Sequence, residues 1–268
     1  IQILKVFHMT TKKNKIVTII KNIDTYLFLG LISLIRRKLL KLISVKRVNK
    51  NNFFYQTHYN NRNNQLNLLC DKYGSDKGFS NINSRTFFNN WHPHTYADLY
   101  SDLFNHCKEN IEKVFECGIG TNTNLVSGMG KEYKPGASLR VWRDYFFNAE
   151  IYGADIDKNI LFKEDRINTF YVDQLNSKSI KDMFDTIGNV TFDLMIDDGL
   201  HTFESGITLF ENSFHMLKEN GIYIIEDVSH LYLYRFVDYF KDHNSQIIRL
   251  RSLKNNLLED NNLILIRK

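Results

Sequence analysis

Three observations predict a doubly wound α/β fold with a seven-stranded, mostly parallel sheet. First, short apolar runs at 114–117, 151–155, 169–173, 191–198 and 221–227 alternate with amphipathic helical patterns, the rhythm of strand-helix-strand units. Second, every run carries or ends in an acid: Glu116, Asp155, Asp173, Asp197 with Asp198, and Glu226 with Asp227. Third, the first run passes into Gly118-Ile119-Gly120, a tight turn in which backbone approaches a ligand closely. Parallel strands end on one edge of the sheet, and such folds bind ligands outside that edge. Runs at 246–250 and 262–267 supply a closing pair of strands.

Composition agrees with a globular protein. The 268 residues are 43% hydrophobic and 24% charged, enough for one α/β domain and an appendage. The net charge of +5 resides mainly in residues 1–50, which are rich in Lys and Arg with almost no acids. It therefore gives no argument for a nucleic-acid partner. Three cysteines without framework spacing, Cys70, Cys107 and Cys117, predict reduced thiols and a cytoplasmic protein.

Taken in order, residues 1–65 read as a basic extension and linker, and 66–268 as the α/β domain. The apolar run 26–35 is shorter than the roughly 20 residues a spanning helix needs. In the following helical pattern, Leu34, Ile35, Leu39, Leu42 and Ile43 share a face, with Arg37, Lys38 and Lys41 elsewhere. Two readings stand: peripheral contact of residues 15–50 with an anionic inner membrane face, or packing on the domain or on a second copy in a homo-oligomer. Residues 47–65 are polar and Asn-rich, a linker pattern. A short helix follows, ending in the glycine-punctuated loop at 74–78. The next helix, through about Glu109, carries Tyr96, Leu99, Tyr100 and Leu103 on one face, a core pattern. His92 and His94 flank a proline without helical ligand spacing. Beyond the glycine turn come a long loop at 127–136 and helices at 137–147, 177–187 and 203–219.

The acids carry the chemistry. A carboxylate at the second strand end can take both hydroxyls of a ribose, which suits Asp155, and Asp173 is placed to accept from an adenine amino group. No third glycine opens a helix after Gly120, so a pyrophosphate cradle is poorly supported. Glu116 suits instead the cationic amino-acid portion of S-adenosylmethionine. Adjacent strand ends about 4.8 Å apart would crowd Asp198, Glu226 and Asp227, and a hard divalent cation relieves such repulsion. His201, three residues beyond Asp198, is placed as a general base near neutral pH.

From about Leu66 onward the sequence resembles the class I S-adenosylmethionine-dependent methyltransferases, a Rossmann-like family. Within them it resembles the magnesium-dependent sugar O-methyltransferases of the macrocin and mycinamicin type. The motifs are Lys72-Tyr73-Gly74-Ser75-Asp76-Lys77-Gly78, His94-Thr95-Tyr96, Glu116-Cys117-Gly118-Ile119-Gly120, Gly136-Ala137-Ser138-Leu139-Arg140 with Trp142-Arg143-Asp144, Gly153-Ala154-Asp155-Ile156-Asp157, Asp197-Asp198-Gly199-Leu200-His201 and Glu226-Asp227. The resemblance implies magnesium on Asp198, Glu226 and Asp227, with His201 deprotonating the acceptor hydroxyl beside Asp198. It implies a cofactor site of Glu116, Gly118, Gly120, Thr121, Ser138, Asp155, Asp173, Gln174 and Asp197. The expected acceptor is a sugar, nucleotide sugar or glycan, in a surface-glycan (capsule or lipopolysaccharide) or glycosylated natural-product pathway. Two alternatives stay open: a small-molecule methyltransferase or hydroxylase of the cephalosporin-hydroxylase type, and a non-catalytic assembly subunit.

Overall fold

The computed structural model describes residues 54–57 (backbone), 63–80, 93–122, 133–250 and 261–268. The basic amphipathic segment, His92 and most of the loop after Gly120 lie outside the described residues.

In chain order the elements are β1 (Phe54–Thr57), α1 (Gln65–Tyr73), α2 (Tyr96–Phe104), β2 (Lys113–Cys117), α3 (Ala137–Tyr145), β3 (Glu150–Asp155), β4 (Lys163–Glu164), β5 (Ile167–Tyr171), α4 (Ser177–Ile187), β6 (Phe192–Asp197), α5 (Phe203–Ser213), β7 (Leu217–Ile225), α6 (Leu233–Tyr239), β8 (Ser245–Leu250) and β9 (Asn262–Arg267). The sheet order is β1-β8-β9-β7-β6-β2-β3-β5-β4. Strands β5, β3, β2, β6 and β7 are parallel. Strand β9 runs antiparallel between β7 and β8. These seven are the expected strands of the Rossmann-like sheet.

Two further strands extend it. Strand β1 lies inside the stretch read as linker and pairs parallel with β8. The two-residue β4 pairs antiparallel with β5. Several expected boundaries shift, three of them in ways that bear on the site or the sheet. Strand β5 ends at Tyr171, so Asp173 stands two residues past it. The second helix is confined to Tyr96–Phe104. Helix α5 stops at Ser213, and a 3-10 turn, Phe214–Met216, hands the chain to β7 at Leu217. The apolar spacing through Leu217 is genuine burial, but Leu217 pairs with Phe192 on β6 before the register shifts to Leu194 opposite Ile222. An apolar period alone does not separate a last helical turn from a turn into a strand.

Strand parity assigns each side chain to a layer. Val114, Leu194, Ile222 and Ile224 face α1, α2 and α3, packing with Leu66, Tyr100 and Trp142. Phe115, Cys117, Met195, Tyr223 and Ile225 face α4, α5 and α6, packing with Met183, Phe210 and Phe236. Glu116 and Glu226 therefore point toward the α1–α3 layer, and Asp197 toward the α5 layer.

Candidate active site

The carboxyl ends of β2, β3, β6 and β7 open into a cavity of about 420 Å³. The turn after β2 is held by Gly118 N–H donating to Ala154 O at 2.8 Å and Asp198 N–H donating to Cys117 O at 2.8 Å. Gly118 has φ +88°, and a Cβ there would lie 2.0 Å from the carbonyl oxygen of Asp198. Only glycine fits so close a crossing of two strand ends. Asp155 steadies the turn: Oδ2 accepts Ile119 N–H at 3.0 Å and Oδ1 accepts Asp157 N–H at 2.9 Å.

Of the expected cofactor residues, Gly118, Gly120, Thr121, Ser138, Asp155, Asp173 and Gln174 line this cavity, and Glu116 and Asp197 do not. Glu116 is buried behind the turn, its Oε2 accepting from Ser138 Oγ at 2.7 Å and Trp142 Nε1 at 3.2 Å. Asp197 lies beneath the cavity floor. Its Oδ1 accepts from Gln174 Nε2 at 2.6 Å, and Gln174 Oε1 accepts Leu200 N–H at 2.8 Å. Asp197 thus orients a lining residue without lining the cavity itself. Asp173 Oδ1 accepts Leu175 N–H at 3.0 Å. Ile156, Leu175 and Leu200 add exposed apolar surface around the cavity.

The second cluster differs in one respect from the sequence reading. Lys77 enters from the loop after α1 and is buried among three acids. Its Nζ lies 3.1 Å from Glu116 and 2.7 Å from Asp198, and it also contacts Glu226. Glu226 accepts from Tyr100 as well. The acids are therefore not uncompensated: Glu226 is engaged by Lys77 and Tyr100. Among the described residues, those whose ligand atoms come together are Asp198, His201 and Asp227, all within 4.8 Å of one another. His201 Nε2 is 3.4 Å from Asp198 Oδ1, and Nδ1 is 3.7 Å from Asp227 Oδ2.

Electrostatics follow from this seating. Burial opposes the Lys77 charge, but Asp198, Glu226 and Glu116 hold its pKa well above the ordinary lysine value. Burial lifts Glu116 and Glu226. Asp198 is also penalised by burial, yet Lys77 and His201 bring it below the usual carboxylate range. For His201, burial disfavours the cation, but the Asp198 hydrogen bond and the Asp227, Asp198 and Asp197 charges raise its pKa to about 10. Facing these carboxylates, the ring favours its protonated form more than the near-neutral base expected from sequence. His201 and Asp227 both adopt left-handed backbone, φ 57° and 51°, conformations that cost non-glycine residues about 1–2 kcal/mol and often occur at functional sites.

The aromatic face of α2 is core and site at once. The Tyr96 and Tyr100 rings are buried, and their hydroxyls reach Asp227 and Glu226 respectively. Apolar periodicity finds the rings and says nothing of the hydroxyls. Lys77 gives no periodic signal either: it is a lone cation in a loop, 121 and 149 residues from two of its partners.

No family model matches the chain. The chain is 31% identical over 176 residues to the 8-demethyl-8-alpha-L-rhamnosyl tetracenomycin-C 2'-O-methyltransferase of Streptomyces olivaceus, 65% of this chain and 44% of that protein. It is 32% identical over 135 residues to the demethylmacrocin O-methyltransferase of Streptomyces fradiae, 50% of this chain and 32% of that protein. The chain thus spans less than half the length of these curated relatives. A methyltransferase from the mycinamycin biosynthetic pathway, solved with Mg and SAH, superposes with a TM-score of 0.53 at 22% identity, over 76% of this chain and 54% of that one. That likeness is one of fold.

Proposed function

We propose that this chain, which shares the fold of a solved methyltransferase and is similar in sequence to the demethylmacrocin and mycinamicin VI O-methyltransferases, is an S-adenosylmethionine-dependent, magnesium-associated O-methyltransferase acting on a sugar hydroxyl. The observation that carries this reading is continuity: one cavity runs from Gly118, Asp155 and Asp173 to Asp198, His201 and Asp227. A methyl donor along the glycine turn and an acceptor at the acid–histidine cluster would share that space, and positioning is the main requirement of an in-line transfer.

The residues fit both groups. The cradle for the donor is the close-packed glycine turn, with Asp155 at the ribose end, Asp173 and Gln174 toward the base, and Ile156 and Leu175 as apolar walls. Asp198 and Asp227 would hold the divalent cation, with Glu226 behind them on Lys77. Oxygen donors of this kind suit a hard cation, which when bound supplies positive charge for an acceptor oxygen and for the two aspartates. His201 stands between those aspartates; a cation held by them would offset the carboxylate charges that raise its pKa, so that the ring could be neutral and take the acceptor proton.

One relative's name specifies a rhamnosyl group on tetracenomycin and another's names demethylmacrocin, which supports a glycosylated natural product as acceptor over a capsule or lipopolysaccharide sugar. Among the described residues no helix is long and apolar enough to cross a membrane.

Calorimetric titration with S-adenosylmethionine, with and without magnesium, tests the proposal on wild type and Asp198→Ala. Cofactor binding in both proteins, with a magnesium signal present only in wild type, is the expected result. A folded wild-type protein that binds neither would sink the assignment.

A further inference from the structure

The two aspartates of the acid–histidine cluster are gripped in the same way. Each has one oxygen engaged by a side chain from the segment that runs from the loop after α1 to the first residue of α2, and the other turned toward His201. On Asp198, Oδ2 meets Lys77 Nζ at 2.7 Å and Oδ1 faces His201 Nε2 at 3.4 Å. On Asp227, Oδ1 accepts from Tyr96 Oη at 2.5 Å and lies 3.4 Å from His94 Nε2, whereas Oδ2 faces His201 Nδ1 at 3.7 Å. Tyr96 grips twice, because its oxygen also accepts the Asp227 N–H at 3.3 Å. That contact engages the backbone of a residue held at positive φ.

The gripping residues belong to one unit. His94 N–H donates to Asp76 O at 2.7 Å and Ala97 N–H to Lys77 O at 2.8 Å. Gly78 allows this approach, since a Cβ there would meet Ala97 Cβ at 2.3 Å. His94 is itself fixed, with Nδ1 3.1 Å from Asn261 Oδ1 and its ring stacked on Tyr96 at 4.5 Å.

We propose that Lys77, His94 and Tyr96 form an outer clamp on the divalent site, positioning residues that determine which single oxygen of Asp198 and of Asp227 is presented to the cation. The inference rests on the metal reading of the preceding subsection. It gives Lys77 a use beyond charge compensation and assigns a role to the motif around His94, which the cofactor cradle leaves unused. Outer partners that orient ligating groups commonly govern metal affinity by about 10–100-fold.

The experiment is Mn²⁺ titration of the full chain by calorimetry, with SAH titration and thermal melting in parallel, on wild type, Tyr96→Phe, His94→Leu and His94→Gln. Tyr96→Phe keeps the buried ring and removes the hydroxyl. The expected result is Mn²⁺ affinity about 10–100-fold weaker in Tyr96→Phe and His94→Leu, unchanged SAH affinity, and partial recovery in His94→Gln, which restores an N–H donor. Wild-type Mn²⁺ affinity in Tyr96→Phe and His94→Leu overturns the clamp and leaves the metal reading standing. Equal losses of Mn²⁺ affinity, SAH affinity and melting temperature overturn it in favour of a purely structural role. A folded wild-type protein that takes up no Mn²⁺ overturns the metal reading, and the clamp with it.

Discussion

The acids at the carboxyl edge of the sheet divide into a buried half and an open half. Glu116 and Glu226 are 0% and 1% exposed and both pair with Lys77, which also reaches Asp198. Asp198 and Asp227 line the cavity and face His201. Parity separates them: Glu116 and Glu226 follow Val114 and Ile224 onto the α1–α3 face, where Lys77 waits, whereas Asp198 and Asp227 stand one residue past Asp197 and Glu226, beyond the ladder. Carboxylates of similar sequence context thus have different uses. Glu116 and Glu226 keep both their charges on Lys77 inside the protein; Asp198 shares that cation but, like Asp227, keeps one oxygen facing His201 on the cavity.

The comparison breaks most severely at Lys77. Lys77→Met leaves Glu116 and Glu226 buried with no cation, and removing one partner of a buried ion pair typically costs about 3–5 kcal/mol. Chemical denaturation should show a loss of that size. Adding Glu226→Gln should recover part of it, since the two changes act on one contact. A single variant as stable as wild type would mean that the buried half does not depend on Lys77.

The open half is sharpened by the charge of His201. Its folded pKa of about 10 exceeds the ordinary 6.5, so its contribution to stability is fully present below about pH 6.5 and lost as pH rises through about 10. The ring is partly exposed, 38%, so solvent screens much of that contribution. The direct readout is NMR titration of the imidazole protons in cation-free protein. The midpoint should lie near 10 and fall toward 6.5 in Asp198→Ala. A wild-type midpoint near 6.5 would show that the aspartates do not act on the ring.

The contrast also shows what sequence can reveal. The glycine turn, the acid-ended strands and the Asp198–His201 spacing were legible because each lies within one short segment whose period or turn chemistry is local. Helix α4 at Ser177–Ile187 was legible to the residue, since its apolar stripe and Asn176 cap are self-contained. Strand β1 was not: four residues in a polar, Asn-rich stretch have too little pattern, and their place comes from backbone pairing with β8. The Lys77 contacts were equally hidden, because they join residues remote in sequence. The layer of Glu116 and Glu226, by contrast, could have been read by counting alternate residues from Val114 and Ile224. That count puts Glu116 on the side of Val114 and Glu226 on that of Ile224, and the β2–β6–β7 register then places both opposite Asp197.

Asp197 gives the smallest and cleanest break between the halves. It points into the α5 layer, with burial raising its pKa to about 6 against the Gly199 N–H, His201 and Gln174 contacts that lower it. An aspartate with a raised folded pKa stabilises the fold in its protonated form. Its contribution therefore grows as pH falls from about 6 to about 4 and is lost as pH rises through 6. Asn at this position keeps an Oδ1 acceptor for Gln174 and Gly199 and carries no charge at any pH. Asp197→Asn should accordingly be more stable than wild type by about 1–3 kcal/mol at pH 8, and the difference should close toward pH 4. Denaturation at several pH values measures it. A constant difference would mean that Asp197 is not titrating in the folded chain. Destabilisation at every pH would mean that the second Asp197 oxygen makes a contact the amide cannot replace, bringing Asp197 closer to the open half than its burial suggests.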